Sequence, residues 1–494
     1  MNTPPHRPFS RSALMRPGRA TLGLIAISIG LSLLYCPAID NLFFDDVEIF
    51  RYLGRVVASG GVPYRDVFDH KPPLIYFFNA TGLWGIWLIN TALVLGATLL
   101  FLRLCRRATM LWPWLPPLLF NLLIRNYLIS FGVNMTRAYT AIFLLYFFCL
   151  LLDGNRRYRY FWLGLLAAAT LFMQQDGIIV LLPFGIYALL STRKLSEVGL
   201  ALAGMLTVSA PLLGYFAAHH ALGSLWQDAV LFNFRWYVSK PSAGEHFRAI
   251  KQSLQNTDLQ MTFILAAVLG VVAGLGRHRK KGLLAAAFAT LLLSFIAEGL
   301  SGMLGFSSAF WYYLLPLSAS MPILVFVAWA YTEEDWLREK KNQLLYGLLL
   351  CFMPLYDAGQ HLTHLSGSHS SWVTSFPEYQ YLRQHKPANH QLYAFGNNDW
   401  VRAYNEFGIY SPCQWIYLHF WRWYPGWDPG RQQLMQIEAG LLHYHTQYII
   451  YNPQANEFND PAARAEWESF LNKYYQLSTV PGSTHPILWI RRSA

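Results

Sequence analysis

The chain has 494 residues, of which 54% are hydrophobic, 16% are aromatic and only 13% are charged. Soluble globular domains carry about 25% charged residues, so this composition excludes an ordinary soluble protein and a disordered one and favours a membrane protein. The formal net charge is +11, but much of it lies in short loops between apolar segments, which argues against nucleic-acid binding. The five cysteines have no metal-binding spacing and indicate buried apolar residues.

Apolar segments recur along the first three quarters of the chain. A helix needs roughly 20 apolar residues to span a bilayer, and eleven segments are candidates: 20–38, 84–102, 111–130, 138–152, 161–175, 177–191, 197–218, 258–276, 282–300, 309–330 and 342–357. The sequence therefore predicts a polytopic α-helical membrane protein with about 11 transmembrane helices.

The basic residues predict the orientation of these spans. If the N-terminus is cytoplasmic, the Lys and Arg clusters at 103–107, 156–159, 193–194, 277–281 and 338–341 all fall on the cytoplasmic side, as the positive-inside rule requires. Residues 1–19 then form a cytoplasmic N-terminus, and residues 20–357 form the transmembrane part. The short loops and this charge pattern favour a bacterial inner membrane.

Two long segments lie on the outer side in this topology, the first outer loop at 39–83 and the region 358–494. The second is long enough for a separate domain, and its pattern predicts a periplasmic α/β domain. Strands are expected at 391–395, 447–451 and 486–490, and helices at 431–442 and 461–475. The aromatic stretch 410–427 favours a domain core or a surface resting on the membrane, with glycan stacking as the alternative.

Ionisable residues are almost absent from the predicted spans and gather at their outer ends. A charge at the bilayer centre costs about 2.5–3.5 kcal/mol and commonly marks an ion pathway. The distribution therefore favours chemistry at the outer surface over ion-coupled transport. Asp176 in a short outer turn and Glu298 at the outer end of a span are candidates to line a cavity there.

The first outer loop is the most informative segment. Apolar residues at helical spacing predict a helix from Val47 to Ala58, with Glu48, Arg51 and Arg55 on its polar face. Such an amphipathic helix is expected to lie on the membrane. Its two guanidinium groups would then be placed to bind lipid phosphate.

The second half of this loop contains DHKPP at 69–73, followed by LIYFFNATG at 74–82. Proline favours the first turn of a helix, so a second short helix is predicted after it. Lys71 would lie near the N-terminus of that helix, where the helix dipole favours an anion. A solvated turn would account for the prolines, but not for an acid, an imidazole and an ammonium beside two arginines.

The segment FFDDVEIFRYLGRVVASGGVPYRDVFDHKPPLIYFFNATG resembles the GT-C superfamily of membrane glycosyltransferases. The likeness is strongest to the branch that contains protein O-mannosyltransferases and lipid A aminoarabinose transferases. The resemblance implies a GT-C-like fold and transfer of a sugar, with inversion, from a polyprenyl-phosphate carrier at the outer face. The acceptor would be a lipid, a glycan or a protein.

Carried over residue by residue, the resemblance implies Asp45 as the catalytic base or as the residue that positions it. Asp46 would assist it or help to hold a divalent cation. Lys71, together with Arg51 or Arg55, would bind the carrier phosphate.

The resemblance also implies that His70 contacts a metal ion or the substrate. Asp69, Asp176 and Glu298 are further candidates to contact substrate or metal, because they lie at the outer ends of the predicted spans or in the outer loops. Mg²⁺ or Mn²⁺ would suit hard oxygen ligands, although the chemistry does not require a metal.

Two positions depart from the family pattern. Many relatives have an acidic residue at the start of the fourth span, where this chain has Arg137. Relatives often have a lysine near the end of the fifth span, where this chain has Gln174. Both differences leave the identity of the sugar open.

Two other functional classes are compatible with parts of the sequence. A transporter or lipid flippase with an outer domain would need a headgroup groove, but the charge-free spans count against ion coupling. A non-catalytic membrane scaffold would leave the charged first loop without a role. Convergence of Asp45, Lys71 and Arg51 or Arg55 on one cavity would favour the transferase.

Overall fold

A computed structural model describes residues 18–34, 36–37, 45–125, 134–153, 158–191, 194–237, 259–303, 314–364, 372–396, 398–417, 431–454, 458, 460–484 and 487–492. Each of the eleven predicted spans contains a helix. These helices are Arg19–Leu33, Gly82–Arg107, Leu115–Ile124, Thr136–Leu152, Arg159–Met173, Gly177–Ser191, Leu195–Ala218, Leu259–Leu275, Lys281–Met303, Leu317–Tyr331 and Lys340–His364. The last helix continues beyond the predicted domain boundary at 357.

The number of membrane crossings stays a prediction. Within the described ranges, Gly82–Arg107 and Leu195–Ala218 are long and apolar enough to cross a membrane by length and composition. Most of the other apolar helices are shorter. Thr136–Leu152 and Leu317–Tyr331 are buried along nearly their whole length, as expected for helices at the centre of a bundle.

Close contact between backbones joins two of these helices, Arg159–Met173 and Leu195–Ala218. A Cβ atom placed on Gly164 would lie 1.9 Å from the carbonyl oxygen of Ala201, and one on Gly204 would lie 1.9 Å from that of Phe161. Both glycines are therefore required for the approach. Small residues at helix contacts are typical of membrane bundles, where van der Waals packing drives association.

The described part of the first loop forms two helices, α2 (Asp45–Ala58) and α3 (Leu74–Asn79), numbered after α1 (Arg19–Leu33). Both agree with the sequence prediction. They cross where α2 has Gly54, because a Cβ atom there would lie 2.5 Å from the carbonyl carbon of Asn79. The Asn79 side chain accepts a 2.8 Å hydrogen bond from Asn134, which links the loop to the start of the helix Thr136–Leu152.

A short irregular helical stretch follows the helix Leu195–Ala218. It begins with the α-helical turn Leu222–Leu225 and continues as π-helix over Trp226–Leu231 and Asn233–Tyr237. π-helical turns are rare and are frequent at functional sites. A further turn, Asp335–Arg338, precedes Lys340–His364.

The described residues of the C-terminal region combine helices with a four-stranded sheet, in agreement with the predicted α/β pattern, and their position on the outer side of the membrane stays a prediction. Its strands are β1 (Leu392–Ala394), β2 (Tyr448–Ile450), β3 (Tyr475–Ser478) and β4 (Leu488–Arg491), in the order β1-β2-β4-β3. The β1–β2 pair is parallel and the other two pairs are antiparallel. The helices are Pro377–His385, Val401–Phe407, Gln432–His443 and Pro461–Tyr474, with 3₁₀ turns at Trp372–Ser375 and Asn398–Trp400.

Aromatic side chains form the core of this domain. Trp467 stacks on Phe395 at a ring distance of 4.4 Å and on Phe470 at 5.6 Å. The described part of the aromatic stretch 410–427 ends at 417, and Trp415 and Tyr417 in it are buried. It therefore belongs to the packed interior, while residues 418–427 lie outside the described residues.

Candidate active site

Helix α2 begins at the acidic pair Asp45 and Asp46. The side chain of Asp45 lies outside the described residues, and that of Asp46 is partly buried. Burial lowers the pKa of His70, and the negative charge of Asp46 acts on that residue in the opposite direction. The structure therefore brings the start of α2 and the DHKPP segment into electrostatic contact.

Asp69 is a fully enclosed carboxylate. Its Oδ1 accepts hydrogen bonds from the His70 amide at 2.6 Å and from the Tyr417 hydroxyl at 2.5 Å, and its Oδ2 accepts one from the Tyr76 hydroxyl at 2.7 Å. Burial acts to raise the pKa of Asp69, but these hydrogen bonds and His70 outweigh it and hold the pKa below its normal value. Asp69 thus stays ionised and anchors the segment that carries His70 and Lys71.

The surroundings of His70 favour its neutral imidazole. Its Nδ1 lies 3.3 Å from Asp69 Oδ1 and 3.3 Å from the Tyr417 hydroxyl. Burial lowers the pKa of His70, and the charge of Lys71 lowers it further, although Asp69 acts in the opposite direction. A neutral imidazole can accept a proton or bind a metal ion.

Lys71 is fixed through its backbone. Its carbonyl oxygen accepts a 2.6 Å hydrogen bond from the Tyr64 hydroxyl and lies 3.0 Å from the Tyr76 hydroxyl, whose single proton it shares with Asp69. Pro72 and Pro73 follow, and α3 begins at Leu74 with Pro73 as its N-cap. Lys71 is partly exposed.

The π-helical stretch supplies residues that the sequence analysis did not identify. Asn233 donates hydrogen bonds to the carbonyl oxygens of His70 at 2.7 Å and Ala229 at 2.8 Å. Phe232 packs against the His70 ring at 5.8 Å. Burial, and secondarily the charge of Asp69, raise the pKa of Asp228 to about 8. This stretch therefore forms one wall of the site.

The polar face of α2 contacts the C-terminal domain, a partner that the sequence analysis did not predict. Glu48 is buried and accepts hydrogen bonds from Arg51 at 2.8 and 2.9 Å and from Asn405 at 2.7 Å. Burial raises the pKa of Glu48, which Arg51 and Asn405 only partly offset. An amphipathic helix buries its polar face when a second domain supplies matching partners.

Arg55 takes part in the same interdomain contact. Its guanidinium donates to the carbonyl oxygens of Tyr404 at 2.7 Å and Ile409 at 3.4 Å, and it lies 5.0 Å from the ring centre of Tyr410. These contacts give it a role in docking the C-terminal domain, and its role as a phosphate ligand stays a prediction. Arg51, paired with Glu48, lies on the same face.

Asp176 is paired with the two residues at which the sequence departs from the family pattern. Its Oδ2 accepts from Arg137 at 2.6 Å, and its Oδ1 accepts from Gln174 at 2.7 Å. The Arg137–Asp176 pair is buried, with side chains 5% and 12% exposed. Asp176 thus forms a buried ion pair between helices. The side chain of Glu298 lies outside the described residues.

The described residues contain no group of three or more His, Cys, Asp or Glu side chains that could hold a metal ion. Asp46 and His70 are two potential ligands, while both oxygens of Asp69 already accept hydrogen bonds. A divalent cation therefore stays a prediction.

Most of the chain resembles a solved structure in fold. A crystal structure of ArnT from Cupriavidus metallidurans bound to undecaprenyl phosphate matches 95% of this chain and 97% of its own, with a TM-score of 0.53 and 12% sequence identity. The chain has a GT-C-like fold. No protein-family model matches it, and no curated protein matches it. The resemblance drawn from the first loop is thus confirmed for the fold.

Proposed function

We propose that this protein is a membrane glycosyltransferase that uses a polyprenyl-phosphate-linked sugar. The observation that carries the proposal is the fold shared with ArnT, whose structure contains undecaprenyl phosphate. The site geometry supports it, because Asp46, His70 and Lys71 lie together at the ends of two short helices. The reaction would occur at the outer face of a bacterial inner membrane, with a lipid, glycan or protein acceptor.

Sugar transfer from a lipid phosphate has two chemical requirements. The acceptor hydroxyl needs a base to take its proton, and the leaving phosphate needs positive charge. Asp45 or Asp46 would act as the base, and attack from the face opposite the phosphate would invert the anomeric centre. Lys71 would neutralise the charge of the phosphate. The contacts of the two tyrosine hydroxyls with its carbonyl oxygen would hold Lys71 in place.

His70 and the acidic pair would also hold a cation if one takes part. A divalent ion there would supply further positive charge to the leaving phosphate. Asp69, Tyr76 and Tyr417 would act indirectly by fixing the backbone and the ring of His70.

Binding of undecaprenyl phosphate to the purified protein in nanodiscs tests the phosphate site. Lys71→Ala should weaken this binding about ten- to a hundredfold, as expected for loss of a charge-assisted contact. Arg65→Ala is the matched control, since it removes one positive charge from the same loop at an exposed residue that pairs with Asp66. Equal affinities of the wild type and Lys71→Ala would place the phosphate elsewhere.

Substitution of the acidic pair tests the chemical step. Asp45→Asn and Asp46→Asn each keep the size of the side chain but cannot accept a proton. Loss of the general base predicts a drop in transfer of about 10²–10⁴-fold with donor affinity retained. The variant that shows this drop identifies the base, and full activity of the double variant would remove the pair from the mechanism.

A further inference from the structure

A cleft of about 370 Å³ lies between the first loop and the C-terminal domain. Tyr52 and Asp66 line it from the first loop, and His390, Tyr410, Gln414 and Tyr444 line it from the C-terminal domain. This volume lies within the range of small-ligand sites, about 300–1,000 Å³. The residues that line the cleft do not include Asp46, His70 or Lys71, so it is separate from the candidate active site.

The one formally charged side chain among the described residues that line the cleft is paired. Of the described residues that line it, Asp66 is the only charged one, and Arg65 neutralises it through contacts of 2.7 and 2.9 Å. Both ring nitrogens of His390 have partners, since Nδ1 lies 2.8 Å from the Ser411 carbonyl oxygen and Nε2 lies 3.0 Å from the Asn389 amide nitrogen. Anions such as phosphate need unpaired positive charge, which this lining lacks.

Aromatic rings and hydrogen-bonding groups alternate in the lining. The rings of His390 and Tyr444 stack at 4.1 Å with an interplanar angle of 24°, and Tyr444 is 39% exposed. Tyr410 packs with its edge toward Tyr52 at 6.0 Å. A flat aromatic surface beside amide and hydroxyl groups suits a sugar ring, whose C–H face is apolar and whose hydroxyls project around it.

We propose that this cleft binds a neutral saccharide that forms part of the acceptor. Helix α2 connects the cleft with the candidate active site. Tyr52, which lines the cleft, follows Asp46 by six residues, about 9 Å along the helix axis. A short oligosaccharide held against Tyr444 could therefore extend towards the acidic pair. The assignment to the acceptor rests on the proposed transferase activity, whereas binding of the saccharide does not.

The test uses the full-length protein in nanodiscs on an array that carries neutral, anionic and cationic oligosaccharides side by side. The wild type should bind neutral oligosaccharides, and Tyr444→Ala should weaken this binding about tenfold. Tyr444→Phe should retain it because the ring remains. Tyr381→Ala is the matched control, since Tyr381 stacks on His385 at 3.8 Å in the same domain but does not line the cleft.

Three results would overturn the inference: no binding of neutral oligosaccharides, tighter binding of charged ones, or unchanged binding by Tyr444→Ala. Undecaprenyl phosphate affinity, measured on the same wild-type preparation, separates this inference from the proposed function. Saccharide binding that depends on Tyr444 in a protein that does not bind undecaprenyl phosphate would support the cleft and reject the transferase. Binding of undecaprenyl phosphate without binding of saccharide would support the transferase and reject the saccharide site in the cleft.

Discussion

The hydroxyl of Tyr417 donates a 2.5 Å hydrogen bond to Asp69 Oδ1. Residues far apart in the sequence thus meet beside His70 and Lys71, and the C-terminal domain becomes part of the candidate active site. The bond is buried and its acceptor is ionised, so it is among the stronger hydrogen bonds of the protein.

Tyr417→Phe should reduce both stability and transfer. Loss of a hydrogen bond to a charged group costs about 1.5–3 kcal/mol, and the pKa of Asp69 should rise because one hydrogen-bond donor is lost. Thermal unfolding and the transfer rate would be measured together. Tyr393→Phe is the control, since it removes a buried bond to the Trp415 carbonyl oxygen in the same domain. Equal effects on transfer would mean that Tyr417 has only a structural role.

The raised pKa of Asp228 predicts a pH-dependent stability. Its pKa is about 8 in the folded protein against a normal value of 3.8, so the folded state keeps a proton that the unfolded state releases between these values. Stability should therefore fall as the pH rises from about 4 to about 8. Asp228→Asn removes this titrating group. The melting temperature of the variant should therefore rise relative to that of the wild type as the pH increases to about 8. A difference in melting temperature between variant and wild type that stays constant from pH 5 to 9 would contradict the raised pKa of Asp228.

Removal of one partner of the buried Arg137–Asp176 ion pair should destabilise the protein strongly, whereas replacement of both partners should change its stability little. Removal of one partner from a buried ion pair costs about 3–5 kcal/mol, whereas replacement of both by apolar residues is often nearly neutral. Arg137→Leu should therefore destabilise the protein strongly, and Arg137→Leu with Asp176→Leu should recover most of the loss. The half-exposed pair Arg464–Glu468 is the control, with an expected effect below about 1 kcal/mol. Additive losses in the double variant would contradict the pairing.

Arg55→Lys tests the docking role of Arg55. A lysine cannot reproduce the two-pronged contact with the Tyr404 and Ile409 carbonyl oxygens, so each lost bond should cost about 0.5–1.5 kcal/mol. The melting temperature should fall while undecaprenyl phosphate affinity stays at the wild-type value. A lower affinity for undecaprenyl phosphate with an unchanged melting temperature would support the predicted role of Arg55 as a phosphate ligand.

Local patterns predicted most of the helices and three of the four strands. A membrane helix is apolar along its whole length, and a buried strand such as Tyr448–Ile450 is a short apolar run, so each can be identified from its own residues. Strand Tyr475–Ser478 was missed because its sequence YQLS is partly polar and two of its residues are exposed.

Long-range contacts could not be predicted in this way. The polar face of α2 has the same pattern whether it meets lipid headgroups or a second domain, and the contacts of Asn405 with Glu48 and Arg55 could not be read from that pattern. Asn233 lies in the largely apolar stretch WQDAVLFNF, where nothing links it to His70. The isolated acid Asp228 was the one feature of that stretch that could have pointed to a functional role.

The most direct test of the transferase proposal is mass spectrometry of the lipids and glycans of a deletion strain complemented with the wild type or with the Asp45→Asn/Asp46→Asn double variant. The proposal predicts that, without the wild type, a polyprenyl-phosphate-linked sugar accumulates on the outer face and one envelope glycoconjugate lacks the mass of that sugar. The double variant should give the same result as the deletion. Identical lipid and glycan profiles in all three strains would contradict the proposal, and a donor that accumulates only on the cytoplasmic face would favour a flippase.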